Sequence, residues 1–222
     1  MIRIEKEDGF ARICEFNGIE TPYIIDLREG FRFADKIERK PPEIIKKIKP
    51  ELFEEFRKDN EIKKIVPVSL HPSDLFKAIY NLRSSTEAPL YISSCATPQN
   101  LALLIYLGGD FFDNALALRK AFEGIYLTEV GDFELRALRT LPCNCEACLN
   151  RKDYKSEFEF LADHNTNALL RELNLVKVAI RKESLRELVE SRVRTKPETT
   201  AVLRLFDANA DTQKFPRFRK SN

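Results

Sequence analysis

Three of the five cysteines stand within six positions of one another, in the stretch LPCNCEACLNRKDYKSEFEFLADHN, residues 141–165. Cys143, Cys145 and Cys148 form C-x-C-x2-C, and His164, one of only two histidines, follows sixteen residues after the last of them. Three thiols on one tight loop and one imidazole make a complete tetrahedral donor set for a structural zinc ion, Zn2+. Four protein ligands leave no position open for water, so such an ion fastens the chain and performs no reaction. The plainer reading, three buried cysteines and a surface histidine, leaves the clustering in a cysteine-poor chain unexplained. A Cys145–Cys148 disulfide runs against the reducing cytoplasm that sparse, clustered cysteine suggests.

The other reactive side chains carry weaker signals. Cys95 follows a strand in YISSCATP, and the second histidine, His71, opens the preceding helix. Ends of parallel strands converge, which would let the two meet as nucleophile and base; a packed cysteine and a capping histidine is the favoured alternative. Cys14 reads as core. Arg181, Lys182, Arg186, Arg192, Arg194 and Lys196 form a basic run, but Glu183, Glu187 and Glu190 stand at helical pairing distance, which reads as a solvated face. The tail KFPRFRK, with Lys214, Arg217, Arg219 and Lys220 interleaved by Phe215 and Phe218, is the better candidate for RNA contact.

These residues need elements to hold them. ARICEFNGIETPYIIDL reads as two strands joined at Asn17-Gly18, where a tight hairpin requires positive φ. KPPEIIKKIKPELFEEFRKDN reads as helical pieces around Pro50 after a Pro41-Pro42 start. IKKIVPVSL is a β-branched strand, and HPSDLFKAIYNLR a helix that Ser73 would cap. APLYISS is a strand. TPQNLALLIYLGG is a helix with Thr97 as its expected N-cap and Gly108-Gly109 as its stop. DFFD is a short buried strand, NALALRKAFEG a brief helix and IYLTEVGDFEL a hairpin around Gly131. From Ser156 onward the pattern is helical, with Leu169, Leu173, Val176 and Ile180 sharing a face.

Strand–helix alternation followed by a helical third predicts an α/β class with parallel strands. Four or five crossover strands are too few for a complete eight-stranded barrel. Hydrophobic residues at 43% and charged residues at 32% suit a globular chain, and no apolar run reaches the roughly 18 residues of a membrane span. The N-terminus is charged from its third residue, with no signal peptide visible, so the expected location is cytoplasmic, with no membrane partner. Thirty-seven Lys and Arg against 35 Asp and Glu do not mark the whole chain as a nucleic-acid binder, so RNA contact must come from local patches.

C-x-C-x2-C followed at a distance by His-Asn on a long helix resembles the zinc site of tRNA-guanine transglycosylases. LYISSCATPQNLALLIYLGGDFFDNALALRKAFEGIYLT is similar to that superfamily's run from a barrel strand through a Thr-Pro helix cap to a Gly-x-Asp-x-x-Asp motif. FARICEFNGIETPYI resembles its N-terminal hairpin, and the similarity extends over about residues 9 to 207. CATPQNLALLIYLGG and LPCNCEAC look most like the transglycosylase-like N-terminal domain of archaeosine synthase. The resemblance implies tRNA as substrate, acted on at the 7-deazaguanine of the D-arm during archaeosine biosynthesis. It puts Asp110 in the place of the catalytic nucleophile, a carboxylate that would hold a ribosyl intermediate, and makes Asp113 structural. A vestigial or capping role is the alternative for Asp110.

The chain also departs from the family pattern. No Asp-Ser-Gly-Gly-Phe-Gln segment is present to supply the second carboxylate, and IDLREGF with Asp26 is a poor substitute. The expected fold is therefore an incomplete or degenerate TIM-barrel-like (β/α) domain over residues 1–207. Within it lie a zinc-binding segment, 141–165, and a helical region, 156–207; residues 208–222 form a basic tail or linker. The expected function is that of a transferase subunit or domain in tRNA modification, working as a homo-oligomer or beside a subunit with the missing core and RNA-binding domains. The alternative is a catalytically silent scaffold that binds a partner, tRNA or both.

Overall fold

The computed structural model describes residues 2–16, 18–28, 62–65 and 71–210. The proline-flanked helical pieces of 40–60, Asn17 of the hairpin turn, residues 66–70 of IKKIVPVSL and the basic tail lie outside the described residues.

The chain opens with β1 (Ile2–Asp8), which pairs antiparallel with β2 (Ala11–Phe16); β2 pairs in turn with β3 (Ile19–Thr21). The β2–β3 hairpin is the one expected at Asn17-Gly18, and Gly18 has φ 79°. β1 was not anticipated: its IRIEKED sequence alternates with charges and lies largely exposed.

The central element is a parallel sheet of four short strands. β4 (Tyr23–Ile25), β5 (Lys63–Ile65), β6 (Leu90–Ile92) and β7 (Phe111–Asp113) stand in the order β4-β7-β6-β5. Among the described residues these strands form an open sheet and no closed barrel, and the expected α/β class is present. Both faces are buried, as parallel sheets require. Ile24, Ile92 and Phe112 point into one apolar cluster, while Ile25, Tyr91 and Phe111 point into the other.

Helices follow the strands: α1 (Pro72–Ser85), α2 (Leu101–Tyr106) and α3 (Ala115–Phe122). Two expected caps differ. Ser73 does not cap α1; its hydroxyl lies 2.9 Å from His71 Nδ1, and His71 holds the cap position. Thr97 begins the turn ahead of α2, but Asn100 is the residue whose side chain closes it, accepting from the Thr97 N–H at 2.8 Å. Gly108 ends α2 as expected, with φ 101°.

After α3 comes the hairpin β8 (Ile125–Leu127) and β9 (Asp132–Glu134), then a one-turn helix α4 (Glu146–Leu149) within the cysteine loop. Ser156 caps the 25-residue α5 (Glu157–Arg181) by accepting from the Glu159 N–H. This helix is roughly 38 Å long at 1.5 Å per residue. It joins the two cores: Phe160, Leu161 and Ala162 pack into the cluster beneath the cysteines, and Leu169 through Ile180 pack into the other. α6 (Leu185–Val193) and α7 (Pro197–Ala210) complete the helical third. No helix among the described residues is long and apolar enough to cross a membrane.

Candidate metal centre and the flanking carboxylates

Hairpin β8–β9, the cysteine loop and the first half of α5 meet at one point. Cys143, Cys145, Cys148 and His164 bring their donor atoms within 4.8 Å of one another, close enough for a single metal ion to reach all four. Cys145 and Cys148 lie 3.5 and 3.3 Å from His164 Nδ1. His164 is 1% exposed, and its Nε2 stands 3.0 Å from the Leu127 carbonyl. A carbonyl can only accept, so Nε2 carries the proton and the Nδ1 lone pair faces the thiols. Burial lowers the His164 pKa to about 4, which keeps the ring neutral and able to ligate at ordinary pH. Burial likewise pushes the Cys148 thiol up to about 12, so a cation is needed to hold it as thiolate. The next residue of α5, Asn165, spans the gap to β8, accepting from the Leu127 N–H at 2.9 Å and donating to the Ile125 and Ala117 carbonyls.

The two aspartates around β7 sit at opposite ends of that strand. Asp110 precedes it, at the amino ends of the strands, and is 1% exposed. Its oxygens accept from Arg12 Nε and Nη2 at 2.8 and 2.9 Å, from Arg83 Nη1 at 3.2 Å and from the Leu90 N–H at 2.8 Å. Burial works against the charge of Arg12, but the Asp110 carboxylate more than offsets it. Arg83 also donates to the Gly108 and Ala88 carbonyls. A Cβ on Gly108 would collide with the Arg83 stem, which is the second reason for glycine there.

Asp113 ends β7 at the carboxyl edge of the sheet, where ligands of parallel α/β folds bind. It is also 1% exposed, and it accepts from Tyr91 Oη at 2.6 Å, from the Ser94 N–H at 3.0 and 3.1 Å and from the Ala115 N–H at 3.0 Å. Ser94 adopts φ 60°, an unusual conformation for a residue with a side chain, and that conformation directs its N–H at Asp113. Asp26 follows β4 on the same edge. It accepts from Asn114 Nδ2 at 2.8 Å and from Arg28, whose Nη1 also reaches Asp163 at 3.1 Å.

Cys95 is fully buried and its thiol is pushed up to about 12 by burial and then by Asp113, which makes it packing material. The cations of the helical third are largely committed, mostly to partners far along the chain. Arg181 pairs with Glu20, Arg192 with Glu172, Lys196 with Asp132, and Arg186 with both Asp207 and Glu190. The expected local pairing along the helix holds only for Arg186–Glu190 among these. Lys214, Arg217, Arg219 and Lys220 lie outside the described residues.

A sequence model of the family described as queuine tRNA-ribosyltransferase matches residues 66–198. Archaeosine synthase of Haloferax volcanii is 43% identical over 136 residues, covering 60% of this chain and 22% of that protein. Archaeosine synthase subunit alpha of Methanosarcina acetivorans is 38% identical over 148 residues, covering 63% and 24%. The tRNA-guanine(15) transglycosylase of Archaeoglobus fulgidus is 36% identical over 136 residues, covering 58% and 28%. The chain thus spans about a quarter of the length of these relatives.

Proposed function

The chain belongs to the queuine tRNA-ribosyltransferase family, and from that membership we propose that it serves tRNA modification as a domain or subunit of archaeosine-forming machinery in the cytoplasm. The observation that carries this reading is the Cys3His cluster, which falls inside the matched span of 66–198. Relatives named archaeosine synthase and archaeosine synthase subunit alpha support the pathway and the presence of a partner.

In this reading the ion is structural zinc. Tetrahedral zinc with bonds of about 2.3 Å to sulfur and about 2.0 Å to nitrogen separates the two ligand atoms by about 3.5 Å. The two sulfur–Nδ1 separations, 3.5 and 3.3 Å, agree with that. The ion would fasten the cysteine loop to α5 and so fix Asp163, the neighbour of His164, against Arg28 at the carboxyl edge.

The four-stranded sheet is then a segment of a barrel completed elsewhere, and its carboxyl edge is the face that meets the modified nucleoside. Of the two aspartates flanking β7, Asp113 is the one on that face. Asp110, at the other end with every oxygen engaged by arginine or backbone, takes the part of a structural pin in this proposal. A second reading, a silent scaffold, draws support from Asp113 itself: 1% exposed and met by donors on both oxygens, it is already spoken for within the chain.

The test is incorporation of labelled guanine or 7-cyano-7-deazaguanine into archaeal tRNA, and conversion of tRNA that already carries the latter. The chain alone is expected to do neither. Activity expected on adding a partner subunit, and abolished by Asp113→Asn, supports the first reading; tRNA binding or partner capture with no activity supports the scaffold. Exchange by the chain alone that is kept on Asp113→Asn, and lost on Asp110→Asn while circular dichroism shows that variant still folded, overturns the assignment of the two carboxylates.

A further inference from the structure

Tyr126 sits in the middle of β8 and is fully buried. Its hydroxyl lies 3.2 Å from Cys148 Sγ, and its ring stacks on the His164 imidazole with centroids 3.6 Å apart and planes 13° from parallel. The next residue, Leu127, supplies the carbonyl that accepts from His164 Nε2. Two consecutive residues of one strand therefore grip the histidine, one by its face and one by its edge, and the first also reaches a cysteine.

A buried phenol needs a hydrogen-bond partner, and the partner here is the Cys148 sulfur. The charges of the filled site explain why that pairing is useful. Three thiolates and one neutral imidazole around a divalent ion leave one net negative charge in a largely apolar setting. Donors aimed at the sulfurs spread that charge. The Cys145 N–H, 3.3 Å from Cys143 Sγ, is one such donor; the Tyr126 hydroxyl is another.

We propose that Tyr126 is a positioning residue of the metal centre: its hydroxyl donates to the Cys148 thiolate and its ring holds the His164 imidazole in the ligating orientation. Through these two contacts it tightens the bound ion and makes Cys148 the least nucleophilic of the three cysteines. This rests on metal binding by the cluster, and the experiment separates the two claims.

Zinc affinity of the full chain is measured by competition with a chelating dye, with cobalt(II) substitution reporting sulfur-to-metal charge transfer. If the unaltered chain binds neither ion, the metal centre itself is overturned and this inference falls with it. If it binds, Tyr126→Phe, which keeps the ring, is expected to weaken zinc about tenfold, in the range for groups that orient metal ligands, and to shift the charge-transfer band. Tyr126→Leu, which loses the stack as well, should weaken it further. Affinity within about twofold of the unaltered chain in Tyr126→Phe, with the band unmoved, overturns the role of the hydroxyl. Equal losses in the two variants overturn the role of the ring. A readout on the unaltered, zinc-loaded chain needs no variant: maleimide trapping with mass spectrometry should find Cys148 the slowest of the three cysteines to react. Cys148 reacting first would overturn the proposal.

Discussion

Arg12 and Asp110, 98 residues apart in sequence, form a two-point ion pair in which Nε and Nη2 of the guanidinium reach the two carboxylate oxygens at 2.8 and 2.9 Å. With Arg83 on the same carboxylate, one buried negative charge fastens the N-terminal antiparallel sheet, the end of α1 and the amino ends of β6 and β7.

Removing that charge should unfold before it inactivates. Asp110→Asn leaves two buried guanidiniums facing a neutral amide. Its expected cost is about 3–5 kcal/mol, the range for breaking a buried ion pair from one side. Urea denaturation followed by circular dichroism gives the value; an unchanged midpoint would place Asp110 outside the framework.

The metal content should be one ion per chain. Protein purified without added metal and submitted to elemental analysis should carry one equivalent of zinc. Cys145→Ser should lose it and loosen the first turns of α5, because binding free energy at such a site is partly folding free energy. A full equivalent retained by Cys145→Ser would exclude that cysteine as a ligand.

Thiol reactivity should divide the cysteines by location. Cys14 and Cys95 are fully buried, and burial pushes the Cys95 thiol up to about 12. At mildly alkaline pH neither is expected to react with iodoacetamide in the folded chain, whereas stripping the metal should open Cys143, Cys145 and Cys148. Rapid modification of Cys95 in the native protein would revive it as a nucleophile.

Acid should loosen the link from β4 to α5. Burial alone would raise Asp26, but the hydrogen bonds and charge of Arg28, with Asn114, more than offset it and hold the carboxyl below the ordinary 3.8. A carboxyl lowered by folding contributes stability that is present above its unfolded value and is lost as pH falls through its folded one. Asp26→Asn should therefore melt lower than the unaltered chain near neutral pH, and the gap should close as pH falls below 3.8. A gap that persists undiminished in strong acid would point to packing as its cause.

What the sequence discloses follows the range of the interaction. The cysteine cluster is legible because three of its donor residues lie in one loop and the fourth on the adjoining helix. The short strands are legible as apolar runs, and the helical run from Ser156 by its periodicity, because the signals are local. Asp110 is different. Its motif invites a catalytic reading, and the partners that engage it, Arg12 and Arg83, come from elements far away in sequence. β1 was missed because an exposed strand rich in charges shows no buried face. Tyr126 shows in the sequence only as part of a hairpin, since nothing in IYLTEVGDFEL says that its hydroxyl ends beside a cysteine. Ser73 and Thr97 follow cap statistics that neighbouring groups overrode: His71 faces one, and Asn100 closes the turn of the other.

The strand order β4-β7-β6-β5 also fixes a timetable. Ile24 finds its partner in Phe112 and Ile25 in Asp113, so β4 emerges from the ribosome almost ninety residues ahead of the strand it pairs with. At about 5–20 residues per second, that interval lasts roughly 4–18 s. Until then, among the described residues, Ile24 and Ile25 lack the strand they pair with, whereas β5 and β6, which pair with each other, can assemble first. On this timetable β4 is expected to join the sheet last, and His164 and the three cysteines, later still in the chain, can come together only after β7 has emerged.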